Sequence, residues 1–515
     1  MRPTDSSSGP ADLHAAPDVS VPPGSVRAVV GLLVLFELTS GFLQGGITPL
    51  LPDIGRELGI PDAELTWAIS AQLLAAAVSV PVLGRLGDLY GHRRVLRFAL
   101  VCVAAGTLLT ALAQSLPMLF TGRVLLGPLA ALLPLEIALV RDRLPVDQAR
   151  SAIARLVGAL ALGTLIGGVA MGAVHQATDD LRTTLLVPAV LAVACVPVSF
   201  LVVPESARRA VGRLDWPGAA LLGVTVVLLL SGVSGLSGGA GGSGGAGGSG
   251  AEGGGGLPVT ALGQLLLAVL FGLAWVVAEL RTPDPLVDVR ALADRRVAPF
   301  FLCAVVYGVV YFGSLSPEAT FLAADPDRTG YGFGLTALQI SLVTVPAAVM
   351  AVVTSSLTAR IAGRLGYVPA LALAFSLIGA SFLTTAVLHA EVWQVVAAKV
   401  IAGLGIGVAL GALPTVIAEG SDPSRTGVTT ALYNNAKTLG GAVAGGVIVT
   451  LLAASARPAP GLGPASGPGP GPGDAAPSES GYVTVWLLLA VLSFAAAAVT
   501  AVARRPGEQR SAFRL

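Results

Sequence analysis

The stretch of sequence that decides the fold is Gly84-Arg85-Leu86-Gly87-Asp88-Leu89-Tyr90-Gly91-His92-Arg93-Arg94-Val95-Leu96. It is short and rich in charge, whereas residues 67–83 before it and 98–122 after it contain no acid, lysine or arginine. A helix needs about 20 apolar residues to cross the hydrocarbon core of a bilayer, and the flanking residues supply that length on each side. The quoted stretch is therefore expected to be a loop between two transmembrane helices.

The composition of the whole chain agrees with a membrane protein. The 515 residues are 54% hydrophobic and 12% charged, with a mean hydropathy of +0.80. A soluble chain carries about twice that charged fraction. Acids and bases nearly balance, 30 against 31, which argues against a nucleic-acid partner. Cys102, Cys195 and Cys303 fall inside apolar stretches and predict neither disulfides nor a metal site.

Apolar stretches of span length recur along the chain and predict an all-α polytopic membrane protein with fourteen spans. Their ends are placed at turn signals, such as Gln114-Ser115-Leu116-Pro117 and the glycine-rich run after residue 236. The predicted spans are 27–47, 65–84, 96–114, 117–140, 153–174, 183–203, 215–236, 259–280, 297–320, 335–358, 367–388, 392–418, 427–455 and 482–503.

The distribution of arginine tests this count. With a cytoplasmic N-terminus, the loops assigned to the outside hold only Arg56, Arg182, Arg328 and Arg457. The loops assigned to the inside hold Arg85, Arg93, Arg94, Arg97, Arg141, Arg143, Arg150, Arg155, Arg208, Arg209, Arg213, Arg281, Arg290, Arg295, Arg296, Arg360, Arg364 and Arg425. Because basic residues concentrate in cytoplasmic loops, this asymmetry favours fourteen spans over thirteen. The chain is therefore expected to lie in the plasma membrane with both termini in the cytoplasm.

Composition also divides the chain into units. Residues 1–25 and 504–515 are expected to be cytoplasmic tails, the first of them disordered. Residues 237–256 consist almost entirely of Gly, Ser and Ala, and residues 457–480 are rich in Pro and Gly. Both are predicted to be flexible external loops without packed structure.

An internal repeat relates two parts of the chain. The stretch Ala359-Arg360-Ile361-Ala362-Gly363-Arg364-Leu365-Gly366 repeats the first loop, with Gly363 at the position of Asp88. Arg123 and Gly127 recur as Lys399 and Gly403. The repeat predicts two six-helix halves, 26–204 and 283–503, with two inserted helices in 205–282. Transporters are commonly built this way, with the substrate site near the midplane.

The stretch from Gly84 to Leu96 resembles the signature loop of the major facilitator superfamily, G-x-L-x-D-x-x-G-x-R-x-x-L. Fourteen spans, Trp67 and the run 329–335 are similar to its fourteen-span drug:proton antiporter branch. The resemblance implies the major facilitator fold and proton-coupled efflux of drugs or toxic metabolites. It also implies that Asp88 and Arg93 steady one access state. The signature loop residues carried over are Gly84, Asp88, Gly91, Arg93 and Arg94.

Other motifs of that branch are only partly present. Its fifth-span signature, G-x-x-x-G-P-x-x-G-G, reads here as Ala159 followed by the helix-packing residues Gly163, Thr164, Gly167 and Gly168. An acid that many relatives carry in the first span is replaced by Leu43, and Leu126 stands where relatives often have Gln. Because of these departures, a proton symporter that imports a metabolite stays open as an alternative.

Ionisable residues within spans are costly and are therefore candidates for function. Glu37 in the first span is the candidate proton carrier, and Arg123 the candidate coupling residue. Glu136 is expected to pair with Arg141 or Arg143, although proton transfer remains open. Lys399 and Lys437 are the only lysines in the chain.

Polar residues near Lys437 form a second candidate group. Tyr433 and Asn434 could bind substrate, and helix–helix hydrogen bonding is an equal alternative. Weaker candidates for residues that line the cavity are Gln44, Gln72, Gln339, Tyr307 and Tyr311.

The sequence lacks the features that indicate several other classes of function. The sequence has no phosphate-binding loop, which would indicate ATP hydrolysis. It also has no catalytic or metal-ligating cluster, which would indicate an enzyme. A membrane receptor or membrane-embedded enzyme is a remote alternative. The expected energy source is a proton gradient without a cofactor, the expected partners are a small organic substrate and the bilayer, and the expected working unit is a monomer.

Overall fold

The computed structural model describes the chain except for residues 1–22, 61, 145, 203–213, 239–258, 283–284, 288, 293–295, 420–425, 459–474 and 504–515. The predicted C-terminal tail, nearly all of the N-terminal tail, most of the Gly-rich loop and the interior of the Pro-rich loop therefore lie outside the described residues. In the described residues, side chains are buried in five hydrophobic clusters between helices.

Helices make up nearly all of the described chain. A 3-10 turn, Thr48–Leu50, lies between the first two of them. In chain order the helices are α1 Pro23–Gly46, α2 Leu51–Leu58, α3 Asp62–Tyr90, α4 His92–Ala111, α5 Leu116–Leu125, α6 Leu129–Arg143, α7 Val146–Thr178, α8 Leu181–Val202, α9 Trp216–Gly238, α10 Val259–Arg281, α11 Val289–Leu292, α12 Ala298–Gly313, α13 Leu315–Ala323, α14 Pro326–Thr329, α15 Ala337–Leu365, α16 Tyr367–Val387, α17 Val392–Glu419, α18 Thr426–Ser455 and α19 Glu479–Val502.

The described residues contain 13 segments that are long and apolar enough to cross a membrane. Helix α9 lies at the seventh predicted span and packs against α10. Its apolar segment, Trp216–Leu229, is shorter than the other spans. The all-α membrane fold is confirmed, and α9 with the thirteen segments accounts for all fourteen predicted positions.

Two predicted spans are broken within the membrane. The fourth divides into α5 and α6 around Pro128, which lacks a backbone N–H and so ends the regular hydrogen bonding of α5. The ninth divides into α12 and α13 at Ser314. The turn Thr48–Leu50 and α2 are additional structure after α1 that the span pattern does not predict.

The internal repeat is visible in the backbone. Gly91 separates α3 from α4 with φ of 101°, and Gly366 separates α15 from α16 with φ of 88°. Side chains disfavour this backbone region, so glycine suits both turns. A Cβ at Gly127 would lie 2.6 Å from Ala75 of α3, and one at Gly403 would lie 2.2 Å from the Ala347 oxygen of α15. Each half therefore repeats the same close packing.

The two halves meet through α3 with α18 and through α7 with α15. The Ser341 hydroxyl of α15 donates to the Gly168 carbonyl of α7 at 2.7 Å, and Gly172 packs directly on Leu338. Leu50 and Ala337 belong to one hydrophobic cluster at this end of the bundle. The halves are thus joined where α7 ends and α15 begins.

An aromatic cluster covers one end of the second half. Phe321 contacts the rings of Tyr331, Tyr482 and Trp486 at centroid distances of 5.5, 5.4 and 4.9 Å. The Tyr331 hydroxyl donates to the Pro477 carbonyl at 2.6 Å. Strands Arg457–Pro458 and Ala475–Ala476 pair antiparallel beside it. The prediction that 457–480 lacks packed structure is therefore wrong for its described ends, because this strand pairing and the hydrogen bond from Tyr331 hold them.

Candidate functional site

The signature loop joins α3 to α4. The Asp88 carboxylate lies 3.3 Å from Nε2 of His92, one helical turn further on, and about half of its side chain is exposed (49%). Arg93 forms no ion pair with Asp88, and its Nε has no hydrogen-bond partner among the described residues. Asp88 and Arg93 therefore do not pair with each other in this structure, in which His92 lies beside the Asp88 carboxylate. The steadying role of Asp88 stays a prediction.

Helices α1 and α7 pack backbone to backbone along the antiporter-like segment. A Cβ added at Gly163 would lie 2.1 Å from the Leu38 carbonyl oxygen, and one at Gly167 would lie 2.3 Å from that of Phe42. Gly41 makes the reciprocal contact, 2.1 Å from the Leu160 oxygen. The Thr164 hydroxyl donates back to the same Leu160 oxygen at 2.9 Å. This packing fixes the position of α1, which carries Glu37.

The structure brings Glu37 of α1 and Glu136 of α6 together. Both residues are 0% exposed, and their carboxyl groups are neighbours. Their oxygens accept no hydrogen bond from an N–H or O–H donor among the described residues. The expected pairing of Glu136 with a base at the helix end is wrong for Arg141, which is exposed, while the side chain of Arg143 lies outside the described residues. The inward-facing side of α6 directs Glu136 to the acid on α1 instead.

The surroundings of this acid pair are apolar. Glu37 and Glu136 lie on helices whose other buried residues, including Leu33, Phe36 and Leu132, form the core of the first half. Cys195 of α8 lies near Glu136, and its thiol lies 3.6 Å from the Thr39 hydroxyl. Two carboxylates in such surroundings repel each other, so the pair is suited to holding a proton between them.

Arg123 lies apart from the acid pair, near the end of α5. It is buried (4% exposed) and lines a narrow open cleft within the first half, with Thr107 and Thr110 of α4. Leu43, the position where relatives carry an acid, lines the same cleft. Glu37 is six residues earlier on α1, or about 9 Å along the helix axis. Burial of Arg123 argues against a side chain that reaches out to the membrane surface.

The second half holds a partly buried ion pair. Nζ of Lys399 on α17 contacts a carboxylate oxygen of Glu318 on α13. Lys399 is 8% exposed. Each charge is therefore compensated by the other, unlike the charges of the acid pair.

Lys437 of α18 faces α12 and its tyrosines. Its Nζ lies 5.9 Å from the centre of the Tyr433 ring. Tyr307 and Tyr311 stack at 5.8 Å with an angle of 8° between their planes. Asn434 is half-buried and lies one turn before Lys437 on α18. Gln339, by contrast, completes a capping box with Thr336 at the start of α15, which gives it a structural role.

Two features of the site were missed by sequence reasoning. Glu318 lies two residues before the predicted end of a span, where an acid is ordinarily solvated, so its position gave little signal. The contact of Glu37 with Glu136 joins residues far apart in the sequence and depends on how α1 packs against α6. Glu318 could have been found as the only acid within the predicted spans of the second half, which also carries Lys399.

Known proteins similar to this chain are transporters. The "Probable actinorhodin transporter" of Streptomyces coelicolor is 26% identical, covering 87% of this chain and 76% of that protein. The "Puromycin resistance protein pur8" of Streptomyces alboniger is 27% identical, covering 83% and 84%. The "Uridine/deoxyuridine transporter" of Lactococcus lactis is 26% identical, covering 74% and 77%.

A solved structure with the same fold is that of the human organic anion transporter MFSD10. It superposes with a TM-score of 0.56 at 18% identity, covering 93% of this chain and 100% of that one. The family model described as Major Facilitator Superfamily matches residues 33–445. The chain is therefore a multi-pass membrane transporter and not an enzyme, and it belongs to the Major Facilitator Superfamily.

Proposed function

We propose that the protein is a proton-coupled exporter of small organic molecules that works by alternating access. The observation that carries this proposal is the acid pair, Glu37 with Glu136, buried in the first half without a basic partner among the described residues. A proton held there removes the repulsion between the two carboxylates. Its release or uptake changes the charge of the core between α1 and α6.

The electrostatic repulsion between two ionised carboxylates sets the size of the coupling. Two unit charges about 4 Å apart repel by roughly 4 kcal/mol at an effective dielectric constant of about 20. A shift of this size is enough to change the balance between two access states by about a thousandfold. The doubly ionised pair is therefore avoided, and a state that separates the carboxyl groups or hydrates them favours loss of a proton.

The packing of α1 offers a route from the acid pair to the contact between halves. Gly41 and Gly163 hold α1 against α7, and α7 contacts α15 through Gly168 and Ser341. A movement of α1 on protonation would thus displace α7 at the place where the halves are joined. On the arginine-based topology, this joined end is external, and the substrate would enter from the cytoplasm.

The remaining parts of the proposal concern its setting. We place the transporter in the plasma membrane with both termini in the cytoplasm, working as a monomer on the proton gradient without ATP. Export is supported by the puromycin resistance relative. Import by proton symport is the second candidate, supported by Thr164 in place of the antiporter proline and by the uridine/deoxyuridine relative.

Everted membrane vesicles test direction and coupling together. An imposed pH gradient, acid inside, should drive accumulation of puromycin or another exported compound from a panel of toxic organic molecules, and a protonophore should abolish it. Glu37→Gln should remove the gradient-driven part, while the exposed control Glu57→Gln should retain it. Accumulation that survives the protonophore would contradict the proton coupling, and accumulation only in right-side-out cells would favour import.

A further inference from the structure

A lysine and three tyrosines form a polar face between α12 and α18 that the proton-coupling proposal does not use. The backbones of the two helices touch there. A Cβ at Gly308 would lie 1.8 Å from the Lys437 carbonyl oxygen, and one at Gly440 would lie 2.0 Å from that of Val305. The backbone at Lys437 is therefore fixed by close packing on α12, about 12 residues into a 30-residue helix.

Lys437 differs from the other lysine in its charge balance. Lys399 is paired with Glu318, whereas Lys437 forms no ion pair among the described residues. The contact of its ammonium group is with the face of the Tyr433 ring, 5.9 Å away. A cation over an aromatic ring is only partly compensated, so the ammonium group retains the capacity to bind an anion.

The tyrosines add hydroxyl groups and flat apolar surface. The Tyr433 hydroxyl is buried and has no hydrogen-bond partner among the described residues, in a side chain that is 6% exposed. Tyr307 lies close to both Tyr433 and Tyr311. A buried hydroxyl without a partner is unfavourable by about 1–3 kcal/mol, and a bound acceptor would remove that penalty.

Part of this face is only half-buried. Tyr311, Asn434 and Lys437 are half-buried, in contrast to the fully buried Tyr307. A ligand that reached this rim would meet an ammonium group, an amide and the edge of the stacked tyrosines. A negatively charged group attached to a flat ring would satisfy all three.

We propose that Tyr307, Tyr311, Tyr433, Asn434 and Lys437 form a substrate subsite for aromatic organic anions, such as carboxylates or phenolates. The anion binds Lys437 Nζ and accepts a hydrogen bond from the Tyr433 hydroxyl, and the ring packs on Tyr311. A cationic ligand is disfavoured because it would meet the ammonium group. This subsite rests on the proposed transport function for its role, but ligand binding does not depend on the direction or the coupling of transport.

Equilibrium binding to the purified full-length protein in lipid nanodiscs tests the subsite. The probe is 1-naphthoate, with 1-naphthalenemethanol and 1-naphthalenemethylamine as neutral and cationic counterparts of similar shape. The wild type should bind the anion about tenfold more tightly than either counterpart. Lys437→Gln should abolish that preference, Lys437→Arg should retain most of it, and Tyr433→Phe should weaken anion binding severalfold.

Three results would overturn the subsite. One is an anion affinity equal in the wild type and in a folded Lys437→Gln variant. The second is wild-type binding of the amine as tight as that of naphthoate, and the third is no naphthoate binding up to about 1 mM. Because naphthoate binding is measured at equilibrium without a pH gradient, failure of proton coupling and failure of this subsite are distinguishable.

Discussion

In the first half, Glu37 and Glu136 face each other in an apolar core, whereas in the second half Glu318 is compensated by Lys399. The acid pair gains from a proton, while the ion pair is balanced without one. Lys437 adds an uncompensated cation to the second half only. We propose that this difference is a division of labour, in which the first half responds to protons and the second half binds the substrate.

The largest effect is expected where helix backbones touch in each half. Gly41→Val and Gly308→Val should each abolish recovery of monodisperse protein, because the added side chain overlaps a carbonyl oxygen of the neighbouring helix. Size-exclusion chromatography after detergent extraction measures this. Gly31→Val is the matched control, since nothing lies within 4 Å of its Cβ position. Normal recovery of Gly41→Val would show that α1 is not held against α7.

Breaking the ion pair tests the compensated half. Glu318→Ala should destabilise the protein by about 3 kcal/mol, because it leaves the Lys399 ammonium group buried without its partner. The double variant Glu318→Leu with Lys399→Met should regain most of that loss. Chemical unfolding monitored by fluorescence gives both values. A double variant as unstable as the single one would contradict compensation as the source of the effect.

Changing one member of the acid pair should have the opposite effect on stability from breaking the ion pair. Glu136→Gln replaces a carboxyl group with an amide that donates a hydrogen bond to Glu37, so it should stabilise the protein by about 1 kcal/mol. The same unfolding measurement applies, with the exposed Glu57→Gln as a control near zero. Destabilisation by 3 kcal/mol or more would indicate that Glu136 has a basic partner, as in the second half.

The smallest effect concerns the hydrogen bond between the halves. Ser341→Ala removes the donor to the Gly168 carbonyl and should favour opening at that end by about 1 kcal/mol, or roughly fivefold. Spin-label distances between α2 and α14 would report the shift. Ser376→Ala is the control, because that hydroxyl bonds only within its own helix. An unchanged distance distribution would mean that this bond does not hold the halves together.

Local pattern predicts the helices well, because span length and apolar composition are properties of consecutive residues. The repeat was also readable, since Gly91 and Gly366 serve the same turn in both halves. The break at Ser314 was missed because its apolar stretch carries no sign of it. Pro128 was not a decisive signal, because other prolines, such as Pro188, lie inside continuous helices.

The pairing of charges was not predictable in the same way. Leu43 suggested that the first span lacks a family acid, but only the packing of α1 on α6 shows where Glu37 points. Arg141 was closer to Glu136 in sequence than Glu37, yet it lies exposed at the helix end. Sequence therefore predicted which residues are costly in a membrane, and three-dimensional packing decided how each cost is met.

The most direct test of the acid pair is substrate-dependent proton movement in liposomes, measured with an internal pH-sensitive dye. The substrate is a compound shown to be transported by the wild type. The wild type should move protons when substrate is added, and Glu37→Gln with Glu136→Gln should transport substrate downhill without moving protons. The double variant Glu318→Leu with Lys399→Met should still move protons. Wild-type proton movement in the Glu37→Gln and Glu136→Gln double variant would contradict the assignment of the proton site to this pair.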